Sequence, residues 1–94
     1  ARDVRLNYAR LLVSERRYDE ARGQFGALLK AFPQNAEISV AVALLAMQAG
    51  DYDVAEAQLK RALESDYKDP DAVRYYLGQV SEERKRFDEA LKWY

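Results

Sequence analysis

The string Tyr18-Asp19-Glu20-Ala21 returns as Tyr52-Asp53-Val54-Ala55 and again as Phe87-Asp88-Glu89-Ala90, at spacings of 34 and 35 residues. No other feature of the chain constrains its fold as tightly. Four residues after each alanine stands a large apolar side chain: Phe25, Leu59 or Tyr94. Ten residues before each aromatic begins an apolar–small pair: Tyr8-Ala9, Val42-Ala43 or Leu77-Gly78. A period of this length marks a stacked supersecondary unit, because one such unit cannot bury its own apolar face and a neighbour must cover it. Within each unit, two stretches of about fourteen residues can form helices, and the second carries apolar side chains at i, i+4 and i+7. These are Ala21, Phe25 and Leu28 in the first unit and Ala55, Leu59 and Ala62 in the second. The small residues Ala9, Ala43 and Gly78 are expected to meet Ala21, Ala55 and Ala90. That lets the paired backbones approach closely, with Phe25, Leu59 and Tyr94 filling the space beside the crossing.

Turn and cap residues agree with this phase. Gly50 follows the first helix of the second unit, where a left-handed C′ residue is wanted. Asp51 then suits an N-cap. Pro33 closes the second helix of the first unit, and Asn35 caps the next helix. Asp69-Pro70 reads as an N-cap and an N1 proline opening the third unit. Arg16 and Lys85 stand where Gly50 does, which predicts a small left-handed cost at those turns.

In these motifs the chain resembles the tetratricopeptide repeat family, whose unit is a helix–turn–helix of about 34 residues. The resemblance covers almost the whole chain. It implies an all-α solenoid of antiparallel helix pairs, winding as a right-handed superhelix. A single domain over 1–94 is expected, with repeats at 2–35, 36–70 and a truncated 71–94. Three departures stand out. Tyr67 replaces the closing proline, one residue is inserted before the third repeat, and Arg5, Ser39 and Arg74 occupy the slot where the family often has Trp. The pattern begins and stops in mid-repeat, so the chain is expected to be a piece of a longer protein. Fraying or self-association is expected at the Trp93-Tyr94 end.

Composition narrows the chemistry. There is no Cys and no His, which removes disulfides, thiolate zinc sites, cysteine nucleophiles and imidazole bases from consideration. The net charge is −1, which gives no bulk attraction to nucleic acid or to an anionic membrane. No apolar run of about 18 residues is present to span a membrane. No cofactor and no catalysis by this segment are expected.

The acidic residues read as structural. Asp51, Asp53 and Glu56 fail the spacing of a calcium loop and fit an N-cap followed by acids in a first helical turn. Asp66, Asp69 and Asp71 form a turn-and-cap cluster. Glu82 and Glu83, adjacent on a helix, point apart and read as a solvated face. The first repeat is net basic, the second net acidic and the third neutral. The basic side chains Arg2, Arg5, Arg10, Arg16 and Arg17 could contact RNA, as the related pentatricopeptide repeats do. The acidic second repeat would break that track, so nucleic acid is not the expected partner. Solvation and complementary charge between stacked repeats account for the pattern.

The first helix of the second repeat carries the functional signal. Between Ala36 and Ala49 it is apolar nearly all round, where a surface helix should have one apolar stripe. Ile38, Val42, Ala43, Leu45 and Ala46 form the expected core set, leaving Val40, Leu44 and Met47 as a second stripe. By the family resemblance, that stripe falls on ligand-facing positions of the concave face. Leu6, Asn7, Arg10 and Val13 flank it on one side, and Tyr75, Tyr76 and Gln79 on the other. Together they suggest an apolar groove for an amphipathic helix or an extended peptide. Alternatively, the stripe packs on neighbouring first helices or on the parent protein's own chain. The family's carboxylate clamp for chaperone tails is not expected: its positions hold Leu6, Arg10, Ala41, Ala72 and Tyr76, and only Arg10 could bind a carboxylate.

The expected function is therefore a non-catalytic protein–protein interaction scaffold. The alternatives are a spacer in a longer superhelix, or the docking arm of an enzyme whose catalytic domain lies elsewhere. Arg outnumbers Lys and Ala is abundant, which points to a GC-rich bacterial source. The wording from Asp69 to Gln79 is similar to repeats of large proteobacterial proteins, among them outer-membrane lipoprotein adaptors of periplasmic proteases. That likeness implies a periplasmic or outer-membrane-attached scaffold; without it, a cytoplasmic one is expected.

Overall fold

The computed structural model describes residues 2–84 and 91–94. Among the described residues, five helices follow one another: α1 (Arg2–Ser14), α2 (Tyr18–Ala31), α3 (Ala36–Gln48), α4 (Tyr52–Leu63) and α5 (Pro70–Glu83), with a further helical turn at 91–93. Each helix packs on the next, and α1 also touches α3. The result is an all-α stack of helical hairpins.

The repeat explains the core. Ala9, Ala43, Ala21 and Ala55 are fully buried, and Phe25 and Leu59 are enclosed beside them. Ile38, Val42, Ala43, Leu45 and Ala46 are all buried, as their spacing predicts. Tyr94 differs from Phe25 and Leu59. Its ring lies against Gly78, where an added Cβ would collide with it, yet the side chain stays 55% exposed. The expectations for Lys85, Phe87 and Ala90 lie outside the described residues.

The turns follow the cap chemistry with one exception. Gly50 adopts φ 77° and closes α3 with two reverse bonds, Gly50 N–H to the Met47 carbonyl and Asp51 N–H to that of Ala46. Arg16, in the equivalent place, adopts φ 61° and closes α1 identically, through Val13 and Leu12. A non-glycine side chain is thus held in the left-handed region by the same pair of bonds. Asn35 accepts from the Ile38 amide at 3.1 Å, and Asp69 accepts from that of Ala72 at 3.1 Å, just ahead of Pro70. The exception is Asp51, which stands at the N-cap of α4 but makes no side-chain cap bond. Its carboxylate is taken by Arg22 instead.

Charge ties the hairpins together. The Arg22 Nε of α2 donates to the Asp51 carboxylate at 3.1 Å, and the Arg61 Nη2 of α4 donates to the Pro33 carbonyl at 2.6 Å. Arg84, just after α5, pairs with Asp53 at 2.8 Å and lies 3.9 Å from Glu56. The basic and acidic repeats thus meet across their junctions. Two polar atoms are buried without a hydrogen-bond partner among the described residues: Gln58 Oε1 and Ser81 Oγ.

Candidate partner-binding surface

Only Glu37 and Gln48, at its two ends, are exposed on α3. The helix is apolar all round largely because α1, α2 and α4 all pack on it. This divides the expected stripe. Val40 is 4% exposed and belongs to the core, while Leu44 and Met47 are half-buried and keep surface.

The flanking residues divide in the same way. Leu6 and Val13 of α1 are buried, so they hold α1 in place and offer no contact surface. Asn7 and Arg10 are exposed and joined by a 2.9 Å hydrogen bond, with the Arg10 guanidinium donating to the Asn7 side-chain oxygen. On α5, Tyr75 is exposed and Tyr76 and Gln79 are half-buried. The Tyr75 and Tyr76 rings meet edge to face at 5.9 Å, and the Gln79 amide donates to the Tyr75 hydroxyl at 3.3 Å.

Met47 stands near the end of α3 and Gln79 on α5. They line one shallow cleft of about 350 Å³ with Gln48, Tyr52, Glu82 and Glu83. Its lining combines the half-buried Met47 and Tyr52, the amides of Gln48 and Gln79, and the exposed carboxylates of Glu82 and Glu83. It could seat an apolar side chain with a basic group beside it. In the sequence, Glu82 and Glu83 read as bare solvated face. The available signal was helical register, since both follow Gln79 at i+3 and i+4 and so share its side of α5.

The acidic residues weighed as a calcium loop have protein partners. Asp51 is held by Arg22, and Asp53 and Glu56 face Arg84. Among the described residues, no group of Asp and Glu is arranged to hold a metal ion. Among the described residues, two groups have shifted titration. The Arg17 guanidinium is raised above its ordinary value, chiefly by its hydrogen bonds to Glu20 and then to Glu15. The Tyr94 hydroxyl is pushed up to about 12, first by desolvation, then by its hydrogen bond to Glu82.

The family model described as tetratricopeptide repeat matches residues 6–48 and, again, residues 40–94. No curated protein sequence matches the chain.

Proposed function

The chain belongs to the tetratricopeptide repeat family, and from that premise we propose that it holds a partner protein or peptide on the concave side of its first helices. Units of this family generally mediate protein–protein interaction and are typically non-catalytic scaffolds. The observation that carries the finer reading is the cleft shared by Met47 and Gln79, with Glu82 and Glu83 at its rim. Leu44 and Met47 supply the apolar anchor. Tyr75, Tyr76 and Gln79 supply an aromatic and amide wall, and Asn7 and Arg10 a polar far edge. The preferred ligand is an amphipathic segment with an apolar side chain and a Lys or Arg beside it. Affinity would come from apolar burial, at about 25 cal/mol per Å² before ordering costs.

The test is selection of binders from a displayed library of amphipathic helical peptides. Selected peptides should be enriched in paired apolar and basic residues. They should lose about tenfold or more in affinity on Leu44→Asp/Met47→Asp and on Glu82→Lys/Glu83→Lys, as expected when a central anchor or its charge partner is removed. Circular dichroism checks that each variant stays folded. Binders indifferent to both variants would refute this site. The burial of Leu6, Val13 and Val40 favours a second reading, a spacer whose first helices spend their apolar surface on packing within the stack. A library that yields no binder would support that reading. Self-association through the Trp93–Tyr94 end is a separate contact.

A further inference from the structure

The second repeat, residues 36–70, holds seven acidic residues against three basic ones. Four of those acids are engaged within the stack. Asp51 is held by Arg22, Asp53 and Glu56 face Arg84, and Asp69 caps α5. Glu37, Glu64 and Asp66 are left. None of these three carboxylates has a hydrogen-bond or ion-pair partner among the described residues. All three line one cleft of about 890 Å³, where the α2–α3 and α4–α5 loops lie side by side, and Phe32, Pro33 and Tyr67 line it with them. Both loops are internal, each joining one repeat to the next, and every lining residue lies in 32–37 or 64–68. None of these residues is fully buried, so the cleft suits a chain lying across it better than an enclosed small molecule.

The two loops are held in place. The Arg61 Nη2 of α4 donates to the Pro33 carbonyl at 2.6 Å, the Asn35 amide to that of Phe32 at 3.2 Å, and the Ser65 hydroxyl to that of Arg61 at 2.9 Å. A partner need not order them, which removes part of the cost of binding.

The chemistry of the lining selects the occupant. Three carboxylates against the Lys68 ammonium leave it at a net charge of −2. α2 and α4 both end beside it, and the carbonyl ends of two helices add to that negative potential. α3 starts there as well, and its positive end is met by the Asn35 cap and by Glu37. Among the described residues no carboxylates are grouped to hold a metal ion, so the charge suits an extended cation. A guanidinium pairs with carboxylates through a planar fork and stacks its face on an aromatic ring, whereas an ammonium is a point charge without that face. An extended chain turns successive side chains to opposite sides, so one strand can address Glu37 on one side and Glu64 and Asp66 on the other. We propose that this cleft binds an extended, arginine-bearing segment of a partner protein, its guanidinium groups paired with Glu37, Glu64 and Asp66 and stacked on Tyr67 or Phe32. The contact does not depend on the Met47–Gln79 cleft. Glu37 and Met47 stand near opposite ends of α3, about 15 Å apart along its axis.

The test titrates an acetylated and amidated Arg-Pro-Arg-Pro-Arg peptide, kept extended by its prolines, into isotope-labelled protein followed by NMR. Saturable shifts are expected at Glu37, Ser65, Asp66 and Lys68. Glu64→Gln/Asp66→Asn should weaken binding about fivefold and Tyr67→Leu about threefold. Lys68→Gln should tighten it about twofold, a gain that a damaged fold would not produce. The lysine counterpart, Lys-Pro-Lys-Pro-Lys, should bind about threefold more weakly or worse. Glu82→Lys/Glu83→Lys should leave binding unchanged, which separates this cleft from the concave one. Circular dichroism checks that each variant stays folded. No saturable shift up to millimolar peptide would overturn the proposal. So would equal binding of the lysine peptide, or an affinity indifferent to Glu64→Gln/Asp66→Asn. Binding lost in Glu82→Lys/Glu83→Lys, with shifts at Gln79, would transfer the peptide to the concave cleft and overturn it too.

Discussion

The Asp51 carboxylate stands at the N-cap of α4 but accepts its hydrogen bond from the Arg22 guanidinium of α2, 3.1 Å away, and not from its own helix. An N-cap side chain has thereby become a tie between two repeats. Asp51 is 18% exposed and Arg22 51%, so water screens the pair in part. A double-mutant cycle of Asp51→Ala and Arg22→Ala, read by urea denaturation, should give a coupling of about 0.5 kcal/mol. The coupling should shrink as salt is raised. A coupling of zero at low salt would mean that the junction holds by apolar packing alone.

Asn35 and Asp69 do make their cap bonds, to the amides of Ile38 and Ala72. Asn35→Ala and Asp69→Ala should each cost about 1 kcal/mol, the usual loss when a helix-start donor goes unsatisfied. Replacing either by Ser should recover most of that loss. Chemical denaturation of the set separates true caps from a residue such as Asp51, which only occupies the position.

Arg16 and Gly50 perform the same turn with different side chains. Gly50→Ala places a Cβ at φ 77° and should destabilise by about 1 kcal/mol. Arg16→Gly relieves the same strain at φ 61° and should stabilise by a few tenths of a kcal/mol, because glycine's greater unfolded-state entropy offsets part of the gain. The opposite signs, measured as shifts in denaturation midpoint, test whether both turns use one geometry.

Glycines inside the helices should behave oppositely according to their surroundings. Gly23 and Gly26 face open space on α2, and alanine at either should stabilise by about 1 kcal/mol through helix propensity. Ser81→Ala removes a buried hydroxyl without a partner among the described residues and should be neutral or stabilising by up to about 1 kcal/mol. Gly78→Ala drives a Cβ into the Tyr94 ring and should displace it. The displacement has a spectroscopic readout, because the Tyr94 hydroxyl is raised from 10.0 to about 12 by desolvation and by Glu82. A group raised in the folded state adds stability that is full below its unfolded pKa of 10.0 and is lost as pH rises through about 12. The phenolate absorbance difference between wild type and Tyr94→Phe should titrate near 12. In a Gly78→Ala background it should move back toward 10.0.

What was legible in the sequence was local or periodic. The left-handed Gly50 and Arg16, the Asn35 and Asp69 caps and the buried alanine pairs all stem from chemistry within one turn or from the repeat phase. Residues whose roles depend on a neighbouring unit were harder to read. Asp51 carries cap chemistry, and only the approach of α2 decides that Arg22 takes its carboxylate. Val40 looks like surplus surface until α3 is seen enclosed by three helices. Glu82 and Glu83 share a cleft with Met47 and Tyr52, which the pattern of α5 alone does not show.

Chemical-shift mapping by NMR would test the central claim most directly, using isotope-labelled protein and a peptide selected for an apolar residue beside a basic one. The account predicts saturable shifts confined to Leu44, Met47, Gln48, Tyr76, Gln79 and the Glu82–Glu83 rim, and none in Leu44→Asp/Met47→Asp. Shifts confined instead to the cleft that Phe32, Pro33, Tyr67 and Lys68 line where the α2–α3 and α4–α5 loops lie side by side, or to the exposed Val4 and Leu91, would contradict it.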